Sequence, residues 1–277
     1  TFKFKLGDTG YTGDLDLVKA TINALDVSNG FDITIQSELP AGSGMGGSSS
    51  LVVALIGAFN EHYDWNLSRE EIAMKAYNIE RIDLQQSGGY QDQYAASLGG
   101  FNFMEFTREV KVHPIKATTE MLNELQCHLI LCYVGGSHFS STIQDEVIRG
   151  YEDEKSSYLD AMDQLKEVAR GMRRILEQNN LTKMLEFGEL LHQGWLAKKS
   201  LSSKISNQSV ENFYLTSRKF GVIGGKLLGA GGGGHLILFS DPAKKYNVMK
   251  ELQKIGATIV NFHFNPNGLE TWKVKKY

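Results

Sequence analysis

Three groups of residues in this sequence could do chemistry. The first is the stretch Pro40-Ala-Gly-Ser-Gly-Met-Gly-Gly-Ser-Ser-Ser50, which runs straight into the apolar residues Leu51–Ile56. Glycine lets the backbone take left-handed angles and come close to a ligand. A loop that opens a helix presents unpaired N–H groups and the positive end of the helix dipole, and both favour a phosphate. Ser48 and Ser49 add hydroxyls that could bind a phosphate oxygen or a metal ion. Gly42, Gly44 and Gly47 match the dinucleotide-binding spacing. That fingerprint also needs a second strand ending in an acidic residue about 20 positions on. Here the region reads Asp64-Trp-Asn-Leu-Ser-Arg and leads into another helix. A Walker-type phosphate loop needs Gly-Lys-Ser/Thr, and Ser48 stands where the lysine would be. Taken alone, the stretch could also be a plain flexible turn.

The second group is Lys226-Leu-Leu-Gly-Ala-Gly-Gly-Gly-Gly-His235, a near-continuous glycine run ahead of the apolar strand His235–Phe239. A simple turn rarely uses four successive glycines, because each loses more conformational entropy on folding than any other residue. The third group is Glu80-Arg-Ile-Asp-Leu-Gln-Gln-Ser-Gly-Gly-Tyr-Gln-Asp92, in which a glycine turn separates Glu80 and Asp83 from Asp92. As single residues, such carboxylates are most often solvated or serve as helix caps.

The elements that must position these groups are a mixture of helices and strands. Phe31–Gln36 alternates apolar and polar residues and reads as a strand. The residues after the glycine-serine loop read as a buried helix, with no turn signal before Asn60. Ser68-Arg-Glu-Glu71 is a capping box, so a second helix is expected to run to about Leu84. Phe101–Phe106 alternates like a strand, and a domain boundary is expected between Val110 and Leu125. Beyond it come a strand over His128–Val134, helices over Ser141–Glu177, Leu181–Leu201 and Ser206–Phe220, and the strand after the glycine run. Cys127 and Cys132 fall in a segment that reads as a strand, five residues apart and therefore on opposite faces. They are expected to stay unbridged, as buried free thiols in a reducing cytoplasm.

Of the 277 residues 42% are hydrophobic, which suits a globular protein long enough for two domains. With 29 basic against 32 acidic residues there is no basic stripe, so nucleic acid is not an expected partner. The most apolar helical stretch, Leu51–Phe59, is too short to span a bilayer, and no signal peptide is read at the first residues. No membrane partner is expected, and the sequence sets no oligomeric state.

Taken together, the three groups resemble the motifs of the GHMP small-molecule kinases, a resemblance that covers essentially the whole chain. In the glycine-serine motif Met45 replaces the family's leucine and Gly47 its first serine. The phrase Gly-Gly-Tyr-Gln-Asp-Gln-Tyr-Ala-Ala, followed by Gly-Gly-Phe-Asn-Phe, is most similar to the family's heptose-phosphate kinases. So are Pro-Ala-Gly-Ser-Gly, Ile-Glu-Arg-Ile-Asp-Leu and Leu-Asp-Leu-Val-Lys-Ala.

The resemblance implies an α+β chain with the GHMP kinase fold. Residues 1–115 would form an N-terminal α/β phosphate-loop domain, and 116–277 a C-terminal ferredoxin-like domain. It implies ATP bound along Pro40, Gly42, Gly44, Met45, Gly46, Gly47, Ser48 and Ser49, and Mg²⁺ held by Ser48 and Glu80. Asp92 would be the catalytic group facing the acceptor, with Gly231 and Gly232 also on the substrate side. The acceptor would be a small-molecule sugar phosphate, phosphorylated at its anomeric hydroxyl in the cytoplasm. Another alcohol (galactose, fucose or mevalonate) is an alternative acceptor, and a non-enzymatic sugar-binding homologue an alternative class. Intact Ser48, Glu80 and Asp92 argue against the latter. His138, Ser140–Thr142 and the helical His192, Trp195, Lys198 and Lys199 are further candidates, the lysines for a phosphate already on the acceptor. The family's first motif, a Gly-Gly-Gly-Thr-Asp-like turn, has no counterpart in these residues. Part of the acceptor pocket therefore stays unassigned.

Overall fold

The computed structural model of the chain describes residues 3–8, 10–13, 15–38, 43–136, 140–153 and 156–274. It divides into two compact units. Thr1–Ala41, Gly46–Val112 and Asn265–Tyr277 form one; Gly42–Met45 and His113–Phe264 form the other. Among the described residues no helix is long and apolar enough to cross a membrane.

The first unit is built round the helix that follows the glycine-serine loop. In chain order its helices are α1 (Asp16–Ala24), α2 (Gly47–Tyr63), α3 (Arg69–Tyr77) and α4 (Gln91–Leu98), with a π-helical turn at Asn78–Asp83. A helix apolar on more than one side must be buried on more than one side, and α2 obeys this. Val52, Val53 and Ile56 pack with Ala20 of α1, Ile72 and Ala76 of α3 and Ile79 of the π-turn. Leu55 and Phe59 meet Val18, Ile22 and Val27. Full burial of each such side chain contributes about 1.5–3 kcal/mol, so α2 is a firm base for its own N-terminus. The expected capping box starts α3: the Glu71 N–H donates to Ser68 Oγ at 3.2 Å and the Ser68 N–H to Glu71 Oε2 at 2.7 Å. The tail returns to this unit, where the Leu269 side chain packs on Gly57 of α2 and its N–H donates to Ser97 O at 3.1 Å.

Residues 31–36 are not a strand, despite their alternation. They are exposed and pair with no strand among the described residues. Alternation gives a segment a sheet-compatible face, but a strand exists only where a neighbour takes its hydrogen bonds. The expected strand at 101–106 does form, as β1 (Asn102–Phe106) paired with β2 (Val110–Pro114).

The second unit continues with α5 (Thr119–His128), β3 (Leu129–Tyr133), α6 (Ser140–Glu152), α7 (Ser156–Gln178), α8 (Met184–Ser200) and α9 (Gln208–Lys219). It closes with β4 (Val222–Leu227), β5 (His235–Ser240), α10 (Pro242–Lys254) and β6 (Thr258–Val260). The four strands form one antiparallel sheet in the order β4-β5-β3-β6, with Leu131 opposite both Ile237 and Val260. This split β-α-β-β-α-β order is the ferredoxin-like arrangement. The central strand Leu-Ile-Leu-Cys-Tyr is buried over its first four residues. Cys127 departs from the expectation: it sits near the end of α5 and is exposed, while Cys132 is buried in β3, and both are free. Helix α8 lies directly on β4, because a Cβ at Gly224 would fall 1.9 Å from the Gly188 carbonyl oxygen. This close approach brings the C-terminal turn of α8 alongside the end of β4.

Candidate active site

Pro40 and Gly42 lie outside the described residues, as does His138, and the side chains of Ser140–Thr142 are not described. The rest of the glycine-serine loop divides between the two units, Met45 going with the second and Gly46 with the first.

In the first unit, Gly46 caps α2 at φ 68° without a side-chain hydrogen bond, and the first helical bond runs from the Ser50 N–H to Gly46 O. The N–H groups of Gly47, Ser48 and Ser49 therefore have no intrahelical acceptor. Beneath them lies Glu80, completely buried. Its Oε1 accepts from Ser48 Oγ and its Oε2 from Ser49 Oγ, each at 2.7 Å, and Oε2 also accepts from the Gln93 amide. The π-turn carries Glu80, with the wide-turn bond from the Leu84 N–H to Ile79 O. Ser49 is buried and its hydroxyl is committed to Glu80, whereas Ser48 is exposed and can offer its oxygen lone pairs outward.

Asp92 stands in the first turn of α4, beside the same helix end: a Cβ at Gly46 would lie 3.4 Å from its Cγ. Burial raises its pKa above the usual aspartate value. Glu80 pushes the same way, against Arg81 and the Gln91 side chain. Arg81 is laid over the glycine turn, with Nε donating to Gly89 O at 3.5 Å, and a Cβ at Gly88 would strike its guanidinium. Tyr77 and Tyr90 stack at 3.8 Å, with Phe106 6.1 Å beyond Tyr90.

In the second unit, Gly44 packs against the glycine run, where a Cβ at Gly229 would fall 2.8 Å from Gly44 Cα. His235 fastens the same segment through Nδ1 to Ser43 O at 2.8 Å, so its ring is a strut. Gly232 is buried, with its N–H on Ile205 O and its carbonyl accepting from Asn207 Nδ2; Gly231 backs onto Ile205. Under the start of the run, Lys198 of α8 donates to the carbonyls of Leu227, at 3.1 Å, and Gly229. Burial pulls the Lys198 pKa down to about 7, with a smaller push from Lys226 of β4, which is close enough to repel it. Lys199 is spoken for: it holds both Glu211 oxygens, at 2.9 and 3.1 Å, and lies over the Trp195 ring.

Among the described residues no group of three or more His, Cys, Asp or Glu could hold a metal ion. Magnesium is commonly held by only one or two carboxylates, with substrate phosphates and water completing the shell. Ser48 offers a hard oxygen of that kind, with the Glu80 carboxylate directly behind it. Sequence reasoning missed Gln93, Arg81 and Lys226. Lys226 alone carried a signal, standing at the head of the glycine run.

The sequence matches the GHMP kinases N terminal domain over residues 16–100 and the GHMP kinases C terminal domain over residues 163–258. It is 37% identical over 272 residues to the D-glycero-alpha-D-manno-heptose 7-phosphate kinase of Campylobacter jejuni, covering 96% of this chain and 79% of that protein. Among solved structures, one described as a D-glycero-D-manno-heptose 1-phosphate kinase from Bacteriodes thetaiotaomicron is similar at TM-score 0.77 and 29% identity, over 96% of this chain and 76% of that one. A putative sugar kinase from Campylobacter jejuni follows at TM-score 0.73 and 33% identity, over 96% and 77%. Both family domains, the near-complete coverage and the motif geometry lead to one conclusion: this chain belongs to the GHMP kinases.

Proposed function

We propose that the chain is an ATP-dependent kinase that phosphorylates the anomeric hydroxyl of D-glycero-D-manno-heptose 7-phosphate, giving the 1,7-bisphosphate. The observation that carries this reading is the pairing, in one unit, of a bare helix N-terminus with an exposed serine on a buried glutamate and an aspartate beside them. The acceptor comes from the similarity to the heptose 7-phosphate kinase. The N–H groups of Gly47–Ser49 would take phosphate oxygens of ATP. Ser48, oriented by Glu80, would hold Mg²⁺, which when bound neutralises charge on the phosphates. By the family resemblance, Gly44 and Met45 would belong to the nucleotide loop and Gly231 and Gly232 to the acceptor side.

Asp92 would hold the acceptor's anomeric O–H. As the new O–P bond forms and the bond to ADP breaks, the hydroxyl proton passes to its carboxylate. A pKa raised by burial suits that role better than an ordinary aspartate would. Most of the acceleration would come from positioning and charge stabilisation. The same reading puts the protein in the cytoplasm, acting on a small molecule.

The test is ADP release by full-length protein with heptose 7-phosphate against unphosphorylated heptose, galactose, mevalonate and homoserine. Phosphorus NMR of the product then locates the new phosphate. A preferred unphosphorylated acceptor would sink the heptose-phosphate assignment. A product phosphorylated elsewhere than the anomeric oxygen would sink the regiochemistry.

A further inference from the structure

Lys198 and Lys226 are two ammonium groups within electrostatic reach of each other, both only partly exposed. Neither has a carboxylate partner among the described residues. Lys198 is bonded to the carbonyls of Leu227 and Gly229, and among the described residues no hydrogen bond or ion pair engages Lys226. Nearby lysines are matched: Lys199 by Glu211, and Lys204 by Glu146. Half-buried cations side by side without a counter-charge are costly, because each loses hydration and repels the other, and only Lys198 is partly compensated, by its two carbonyls. Apolar side chains of the same length would pack there without that cost.

The position is also specific. Lys198 grips Leu227 and Gly229, and the segment between them presses on the nucleotide-loop glycine, a Cβ at Gly44 falling 3.3 Å from Leu228 O. The close approach of α8 to β4 at Gly188 and Gly224 sets the two lysine-bearing elements side by side. We infer that Lys198 and Lys226 together form a binding site for a phosphoryl dianion of the substrates, Lys198 fixed by the loop carbonyls and Lys226 free to meet the anion. Depressed lysine pKa values are consistent with a site that waits for negative charge. The dianion could be the phosphate already on the acceptor or a phosphate of ATP, and the chemistry is the same.

This inference rests on the kinase reading and deepens it. The experiment uses full-length protein and the variants Lys226→Met and Lys226→Arg. Dissociation constants are measured by calorimetry for heptose 7-phosphate, unphosphorylated heptose, Mg-ATP and Mg-ADP. Lys226→Met should unfold at the same temperature as wild type or higher, since an uncompensated charge has gone. It should lose roughly 10- to 100-fold in affinity for a phosphorylated ligand, the range for a bond to a charged group, and Lys226→Arg should recover much of this. A loss confined to heptose 7-phosphate assigns the pair to the acceptor's phosphate; a loss confined to nucleotide assigns it to ATP. Unchanged affinities, or an equal loss for unphosphorylated heptose, would overturn the inference. Should Lys226→Met not fold, Lys198→Gln repeats the test, since its amide keeps two N–H donors for the loop carbonyls without the charge. If neither variant folds, the pair is structural and the inference is wrong. Wild-type protein with no sugar-phosphate kinase activity would instead count against the kinase reading.

Discussion

Replacing Glu80 by glutamine separates its structural role from its chemical one. The carboxylate is fully buried and accepts from Ser48, Ser49 and Gln93. Glutamine keeps the shape and one acceptor oxygen but puts an amide where Oε2 was. Ser49 can answer by rotating its hydroxyl to accept. Gln93 can answer by turning its amide over, because its Oε1 is buried with no partner among the described residues. The two serine hydroxyls then keep a partner, while the turned Gln93 amide carries its N–H groups into the place its Oε1 held; charge-assisted bonds become neutral ones, at a difference of about 1 kcal/mol each. Part of this is recovered because no charge remains buried. Glu80→Gln should therefore cost only ~1–2 kcal/mol, a fall in Tm of roughly 2–8 °C. Glu80→Ala, which leaves all three donors without an acceptor, should cost ~3–5 kcal/mol. Activity should fall further than stability. Without the carboxylate Ser48 is no longer oriented for a metal, and an outer partner of this kind is worth roughly 10- to 100-fold in metal affinity. The assay is initial rate against free Mg²⁺, with thermal unfolding in parallel. A Glu80→Gln protein that loses stability but keeps the wild-type Mg²⁺ dependence would refute the metal role and leave Glu80 as a buried strut.

Asp92→Asn should lower turnover by roughly 10²–10⁴ with little change in ATP affinity. The charged form of Asp92 is disfavoured in the fold, so the wild type loses stability relative to this variant as pH rises from the usual aspartate pKa through the raised one. At neutral pH Asp92→Asn should unfold no earlier than wild type, and an earlier transition would contradict the burial argument. Gly46→Val should abolish nucleotide binding measured by calorimetry, because its side chain would enter the space beside Asp92. It should also cost about 1–2 kcal/mol, since Gly46 sits at positive φ. Lys198 carries the opposite linkage. Its folded pKa of about 7 lies below the ordinary 10.5, so the unfolded chain holds more protons between those values. Ligand-free wild type should gain stability over Lys198→Gln as pH rises through that window; a flat difference would show that the ammonium is not held in a costly place.

The sequence carried its local motifs more fully than its strand pairing. The glycine-serine loop, the capping box at Ser68 and the glycine run all work locally, through backbone freedom and short-range bonds, so their residue types announce them. The strand expected at 31–36 failed because pairing is not local: the alternation of Phe31, Ile33 and Ile35 describes one face and says nothing of a neighbour. Cys127 failed for a related reason. An apolar stretch of ambiguous period was read as a single strand, but its first residues complete a helix begun at Thr119. Gln93 could not be found at all. Its role depends on α4 and the π-turn folding against each other, and no spacing in the sequence encodes that.

Glu80 is the instructive middle case. Ala73, Ala76 and Glu80 fall at helical spacing on one stripe, with Ile72 and Ile79 beside them, and all five are buried. A carboxylate on the apolar stripe of a helix signals a buried charge with partners, and this was readable from periodicity alone. What periodicity could not give was the π-turn. Two residues on, Ile82 is 61% exposed although apolar. An i+5 turn widens the helix and changes the phase of the residues beyond it. A carboxylate buried without a cation needs donors on its oxygens, and two of those donors lie in the first turn of another helix. The wide turn is the element that carries this carboxylate. The same carboxylate that needs Ser48 and Ser49 for its own burial thereby fixes the end of α2 where a phosphate would bind. Stability and phosphate placement then share one residue, which is why the Glu80 variants must be read by two assays and not one.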